Sequence, residues 1–174
     1  MKWSYYVLLF VIVASSCQKC KESNEELCSS PVLYSGNELQ TDGYYYKEYA
    51  NPDRREILFL FRNGVVLDGE IVDMTLLPGK EEEYMNGYYY NLIQSSMSYW
   101  GNFNISGNTI EYELWFPSTN RYVPYVNHGV IINDTTFQIV MSYRCDGTNF
   151  NQRADTYHFN KFGPKPDSIN QFVP

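Results

Sequence analysis

Four cysteines are the most reactive side chains of this 174-residue chain, and the first of them, Cys17, follows a stretch that fixes its expected chemistry. Lys2 supplies a positive charge, Tyr5 to Ala14 (YYVLLFVIVA) is an apolar run, and Ser15-Ser16 puts two small residues directly before the thiol. A short apolar core with a basic start and a small-residue end reads as a secretory signal, because a membrane span needs about 20 apolar residues. A cysteine at that place resembles a lipobox, with Ala14 where Leu or Val usually stands. The expectation is cleavage after residue 16 and acylation of Cys17 at sulfur. Several acyl chains make a firm anchor, since each buried methylene contributes about 0.8 kcal/mol. Cys17 is therefore expected to hold the chain to a membrane, not to attack a substrate.

The remaining thiols are Cys20, Cys28 and Cys145. None belongs to a Cys/His cluster of zinc spacing, and an exported chain is free to form disulfides. Cys145 lies in RCDGTN, between two expected strands, and Cys28 ends a polar segment able to reach it. Cys28–Cys145 is the expected bridge, with a local Cys20–Cys28 bridge as its rival.

The other chemistry-bearing groups are sparse. His128 and His158 have no partner at triad or metal-ligand spacing, Glu81-Glu82-Glu83 reads as solvated charge, and Glu111 and Glu113 share a strand face expected to meet solvent. No phosphate-cradling glycine loop, nucleophile elbow or HExxH motif occurs. The expectation is a protein that is not an enzyme and needs no metal or cofactor.

These residues must be carried by a fold. Cutting before Cys17 removes 16 residues and leaves ample chain for one domain with a core. Net charge is −7 for the whole chain, which argues against nucleic acid as a partner. Tyr occurs 17 times, and tyrosine favours half-buried pleated surfaces, so an all-β domain is expected.

Residues 17–41 are polar and aperiodic and read as a flexible tether, ordered from about Leu33. Short strands separated by turn signals then run from 42 to 163, before a Pro-rich tail over 164–174. EILFLFR and VVLDGEIV flank Asn63-Gly64, which suits a type I′ hairpin turn. WGNFNI and TIEYELWF flank Ser106-Gly107-Asn108, and RYVPYVNHGVII and TTFQIVMSY flank Asn133-Asp134. RADTYHFNKF closes the set. Residues 73–98 admit either a short helix after Gly79 or a loop leading to a strand at Gly87. The second GYYY, at 87–90, echoes the first, at 43–46, as tyrosine abundance allows. Neighbouring hairpins point to an all-β antiparallel up-and-down meander barrel of about eight strands.

Alternation assigns faces. Phe103 and Ile105 fall in phase with Ile110, Tyr112 and Leu114 across the Gly107 turn. Phe137, Ile139 and Met141 form one face of the next hairpin, and Tyr157 and Phe159 one face of the last strand. Phe103, Ile105, Tyr112, Leu114, Phe137, Ile139, Tyr157 and Phe159 are thus the expected lining of the interior. Such a lining would either bind a ligand or pack solid, since eight strands enclose only enough room for side chains or one small guest.

The lipobox-type start, RNGVVLDG (62–69), WGNFNISGNTIEYELW (100–115), INDTTFQI (132–139) and YHFNKFGPKPDSINQF (157–172) together resemble the lipocalin-like lipoproteins of Bacteroidota. Lipocalins open their first strand with Gly-x-Trp, and here Tyr45 occupies the tryptophan's place. The resemblance implies an eight-stranded calyx, anchored to the outer membrane, that takes a small apolar or amphipathic ligand. The alternative is an interaction module that holds a glycan or an envelope protein through exposed tyrosines and Trp115.

Overall fold

The computed structural model describes residues 24–173. Cys17, Cys20 and residues 1–16, with their expected cleavage and acylation, lie outside the described residues.

Eight antiparallel strands close into one barrel in meander order. They are β1 (Gly43–Glu48), β2 (Arg54–Leu60), β3 (Val65–Asp73), β4 (Trp100–Ser106), β5 (Thr109–Pro117), β6 (Tyr122–Asn133), β7 (Thr136–Arg144) and β8 (Asn151–Lys161). Closure comes from β8 pairing with β1, with Tyr157 opposite Lys47 and Phe159 opposite Tyr45. A closed sheet leaves no unpaired edge.

Turn chemistry sets the hairpins. Gly107 takes φ 60° at the first of the two loop residues between Ser106 and Thr109, as a type II′ turn requires. The Asn63-Gly64 turn is not the expected type I′, which needs positive φ at both central residues. Only Gly64 is left-handed (φ 83°), and Phe61 N–H bonds Val65 O at 3.0 Å, so the loop holds three residues.

The ambiguous stretch 73–98 is helical. Helix α1 (Leu77–Met85) and helix α2 (Tyr88–Ile93) are followed by a 3-10 turn at Met97–Tyr99. No helix among the described residues is long and apolar enough to cross a membrane. Both helices cover the outer wall of the barrel. Tyr84 of α1 and Tyr89 of α2 are buried with Ile57, Phe59, Leu67 and Trp100, the outward faces of β2, β3 and β4. The hydroxyl of Tyr84 donates to Gly69 O (2.5 Å) and that of Tyr89 to Asp68 O (2.7 Å), pinning both helices to β3.

A second core fills one end of the barrel from inside: Tyr45, Leu58, Leu60, Val66, Phe103, Ile110, Phe137, Ile139 and Tyr157. Phe137 stacks on Tyr157 with ring centroids 4.9 Å apart.

Two polar segments lie against the barrel. Residues 24–41, read as a tether ordered from about Leu33, are packed from Asn24 onward. They start beside the β5–β6 loop, where Glu25 N–H bonds Tyr122 O (3.0 Å), and run down the outer wall. They then close the filled end with Tyr34 and Leu39, both buried. Cys28 and Cys145 form a disulfide with Cα atoms 5.5 Å apart. Glu113, expected in solvent, is 3% exposed beneath this segment, accepting Cys28 N–H at 2.6 Å and the Ser29 hydroxyl. The tail also folds back. Lys165 donates to Thr41 O (2.5 Å) and Leu60 O (2.9 Å) at the filled end, and Val173 is buried.

Candidate functional site

Only one end of the barrel is filled. The other opens, between the β1–β2, β5–β6 and β7–β8 loops, into a cavity of about 890 Å³. That is ample for a small molecule, whose sites typically span about 300–1,000 Å³.

Of the eight residues expected to line the interior, Tyr112 and Leu114 reach this cavity. Phe103, Phe137 and Ile139 are buried in the filled end, and Ile105 and Phe159 pack against them. Tyr157 lies at the boundary, 1% exposed, its hydroxyl 3.2 Å from that of Tyr112. The expected apolar lining is therefore mostly a packed floor. Register changes the lining as well. Met141 is in phase with Phe137 and Ile139 by simple alternation, but an irregularity between Ile139 and Met141 shifts β7 so that Ser142 faces the cavity opposite Asn127. An inserted residue turns every later side chain to the other face.

Above the floor the walls are charged. Lys47 (β1), Glu56 (β2), Asp68 and Glu70 (β3), and Arg153 and Asp155 (β8) all contribute, four carboxylates against two cations. Lys47 stands opposite Glu56 on one side and Tyr157 on the other. Its ammonium lies 2.7 Å from Glu56 Oε2 and 3.5 Å from Asp155 Oδ2, and 4.8 Å from the centre of the Tyr49 ring. Tyr157 donates to Glu56 Oε1 (2.5 Å) and Tyr49 to Glu56 Oε2 (2.8 Å), while Arg153 Nε bonds Asp155 Oδ2 at 2.7 Å. Buried charge persists only when compensated in this way.

The electrostatics follow. Burial raises the Glu56 carboxyl, but Lys47 and the hydroxyls of Tyr157 and Tyr49 outweigh it and hold the group below the usual carboxylate range. Burial pushes both the Tyr112 and the Tyr157 phenol up, with the Glu56 charge adding to it. Asp68 accepts the Glu70 N–H (2.8 Å), and the more distant Lys47 charge offsets its burial only in part. Burial first, then the charges of Glu56 and Glu70, push its carboxyl up to about 7.

The apolar lining lies to one side, with Leu114, Phe116 and Pro117 on β5 and Val123 on β6, apart from the charged strands β1, β2, β3 and β8, while Ser118, Asn151 and Arg153 keep the mouth polar as well. The cavity thus has a charged side and an apolar side.

The remaining candidates sit elsewhere. His128 pairs with Glu111 on the outer face (2.9 Å) and His158 lies against the Tyr46 ring. Trp115, offered as an exposed platform, is 5% exposed and donates its Nε1–H to Glu25 O at 2.8 Å. Cys28, Glu113 and Cys145 place ligand-type atoms together, but both sulfurs are spent in the disulfide. The charged residues had a sequence signal: Lys47 falls in phase with Tyr45, Glu56 with Leu58 and Leu60, and Arg153 and Asp155 with Tyr157 and Phe159. Each inward face carries its charge toward the open end.

The fold and site define a closed eight-stranded antiparallel barrel with one filled end and one open cavity whose walls are partly charged. Comparison with family models, with curated proteins and with solved structures gives no match.

Proposed function

We propose that this chain is a lipocalin-like lipoprotein of the cell envelope, anchored to the outer membrane through Cys17, whose barrel binds a small amphipathic molecule. The role is binding, not catalysis. The carrying observation is the two-sided lining of the cavity, charged on β1, β2, β3 and β8 and apolar on β5 and β6. A purely apolar guest would leave Lys47, Glu56, Asp68 and Asp155 desolvated without new partners, which costs free energy. A guest with a polar group against the charged strands and an apolar part against β5 and β6 satisfies both sides. Because carboxylates outnumber cations on the charged side, that polar group is expected to carry hydrogen-bond donors or positive charge.

Fluorescent amphiphiles with ammonium, carboxylate and neutral heads on one alkyl chain test this. The expected result is saturable one-to-one binding, strongest for the ammonium head, and lost in Ser142→Trp, which projects an indole into the cavity. Absence of saturable binding for all three heads sinks the reading, and mass spectrometry of what co-purifies supplies the natural guest.

A further inference from the structure

We infer that the open mouth of the barrel faces the bilayer that anchors the chain, so that the cavity and the membrane surface form one binding site for an amphiphile. This rests on anchoring through Cys17 and adds the orientation that the fold imposes on it.

The argument is one of reach. Asn24 and Glu25 sit at the mouth: Tyr122 N–H bonds Asn24 Oδ1 (2.9 Å), and Glu25 pairs with Arg121 (3.1 Å) and Arg144 (2.6 Å), at the mouth ends of β6 and β7. Trp115, which donates to Glu25 O, itself lines the cavity. From there the chain runs away from the mouth, and the Cys28–Cys145 disulfide and the Glu113 contacts fasten it to the wall. Cys17 precedes Asn24 by seven residues. Seven residues span at most about 25 Å when fully extended. An acyl anchor on Cys17 therefore keeps the mouth within that reach of the lipid headgroups, whereas the filled end could face them only with all seven residues stretched along the length of the barrel.

The rim suits that place. Phe116 and Phe150 are about half exposed on the β5 end and the β7–β8 loop, and Ile71 stands exposed at the end of β3. Exposed apolar side chains at a membrane surface gain by partial burial among headgroups and acyl chains. The filled end also carries exposed apolar residues, Val32, Leu33, Ile132 and Ile169, so hydrophobicity does not choose between the ends; the tether does. In this orientation a membrane amphiphile enters head first, its polar group reaching Lys47, Glu56 and Asp68 while its chain lies against β5 and β6 and in the bilayer.

The experiment uses the full chain, expressed with lipoprotein processing, purified in detergent and reconstituted into phosphatidylethanolamine vesicles containing brominated phosphatidylcholine, a contact quencher of tryptophan. Single variants Phe116→Trp and Phe150→Trp report the mouth, and Ile132→Trp the filled end, each read as the difference from the parent protein. The expected result is quenching at the two mouth positions at least about twofold greater than at Ile132→Trp. Lengthening the chain by a 20-residue Gly/Ser insertion between Ser23 and Asn24 should cut the mouth signal toward that of the filled end. Acylated protein with equal quenching at both ends, or more at Ile132→Trp, overturns the orientation and leaves the anchor standing. Intact-mass measurement showing no acyl group on Cys17 overturns anchor and orientation together.

Discussion

The Lys47 ammonium lies 2.7 Å from Glu56 Oε2 inside the barrel, with the two side chains 7% and 22% exposed. Two residues nine apart in sequence meet because β1 and β2 pair in register, and both faces turn inward. Tyr157, 101 residues further on, donates to the other oxygen of the same carboxylate. This arrangement stabilises a charge that the interior would otherwise reject.

Removing one partner should therefore be worse than removing both. Lys47→Met leaves Glu56 uncompensated and is expected to cost about 3–5 kcal/mol, whereas the double variant Lys47→Met/Glu56→Leu should cost much less. Urea unfolding of the two single variants and the double gives the coupling directly. Additive losses would mean that the pair is not coupled.

Glu56 also ties stability to pH. Its folded carboxyl is held below its ordinary value, so its contribution is present above the unfolded carboxylate range, near pH 4 to 5, and is lost as pH falls through the lower folded value. The acid-induced loss of stability below pH 5 should be shallower in Glu56→Gln than in the parent.

Asp68 runs the other way. Its folded carboxyl is pushed up to about 7 from an ordinary 3.8, so the folded state holds the proton more tightly and stability declines as pH rises from about 4 to 7. Asp68→Asn keeps an acceptor for the Glu70 N–H without the charge. At pH 8 it is expected to be more stable than the parent by on the order of 1–3 kcal/mol, the advantage vanishing near pH 4. Denaturation midpoints at pH 4, 6 and 8 measure this, and a parallel pH profile in the variant would refute it.

Tyr112 separates binding from folding. Its hydroxyl meets Tyr157 at the cavity floor (3.2 Å). Tyr112→Phe keeps the ring that packs there and should change stability by no more than about 1 kcal/mol. Titration with the ammonium-headed amphiphile is expected to show about three- to tenfold weaker binding, the worth of one hydrogen bond.

The disulfide fastens the N-terminal segment across 117 residues of sequence. In the chain-entropy description a loop of that size contributes at most about 4–5 kcal/mol. Cys28→Ser with Cys145→Ser should lower the melting temperature and make residues 24–33 the first site of limited proteolysis, before any strand is cut. Simultaneous cutting throughout the barrel would show that the segment is not a separate unit.

The class of fold was legible in the sequence because its signals are local. Period-two alternation in TIEYELWF, glycine at the Gly107 turn and hairpins between neighbours suffice for a meander of eight strands, and pairing between neighbours leaves few other arrangements. The inward set Ile110, Tyr112 and Leu114 followed from the same alternation. What alternation could not supply was where the phase breaks: the irregularity beyond Ile139 that turns Ser142 inward depends on how β7 meets β6 and β8.

Other features only the tertiary structure decided. Gly43-Tyr44-Tyr45-Tyr46 is strand and Gly87-Tyr88-Tyr89-Tyr90 opens a helix, from one tetrapeptide. Tyrosine leans toward strands, but packing overrides so weak a preference: Tyr45 packs against Phe137 and Phe159 within the barrel, Tyr89 against Tyr84 outside it. The polar stretches 24–41 and 164–173 likewise carry no periodic pattern, yet they lie along the outer wall because exposed Trp100, Trp115 and Phe61 faces would otherwise meet water. The charged walls above the floor have the same origin. Lys47, Glu56 and Asp155 fall in phase with inward residues, but only the pairing of β1 with β2 and the closure that brings β8 beside β1 set them around one another where their charges compensate.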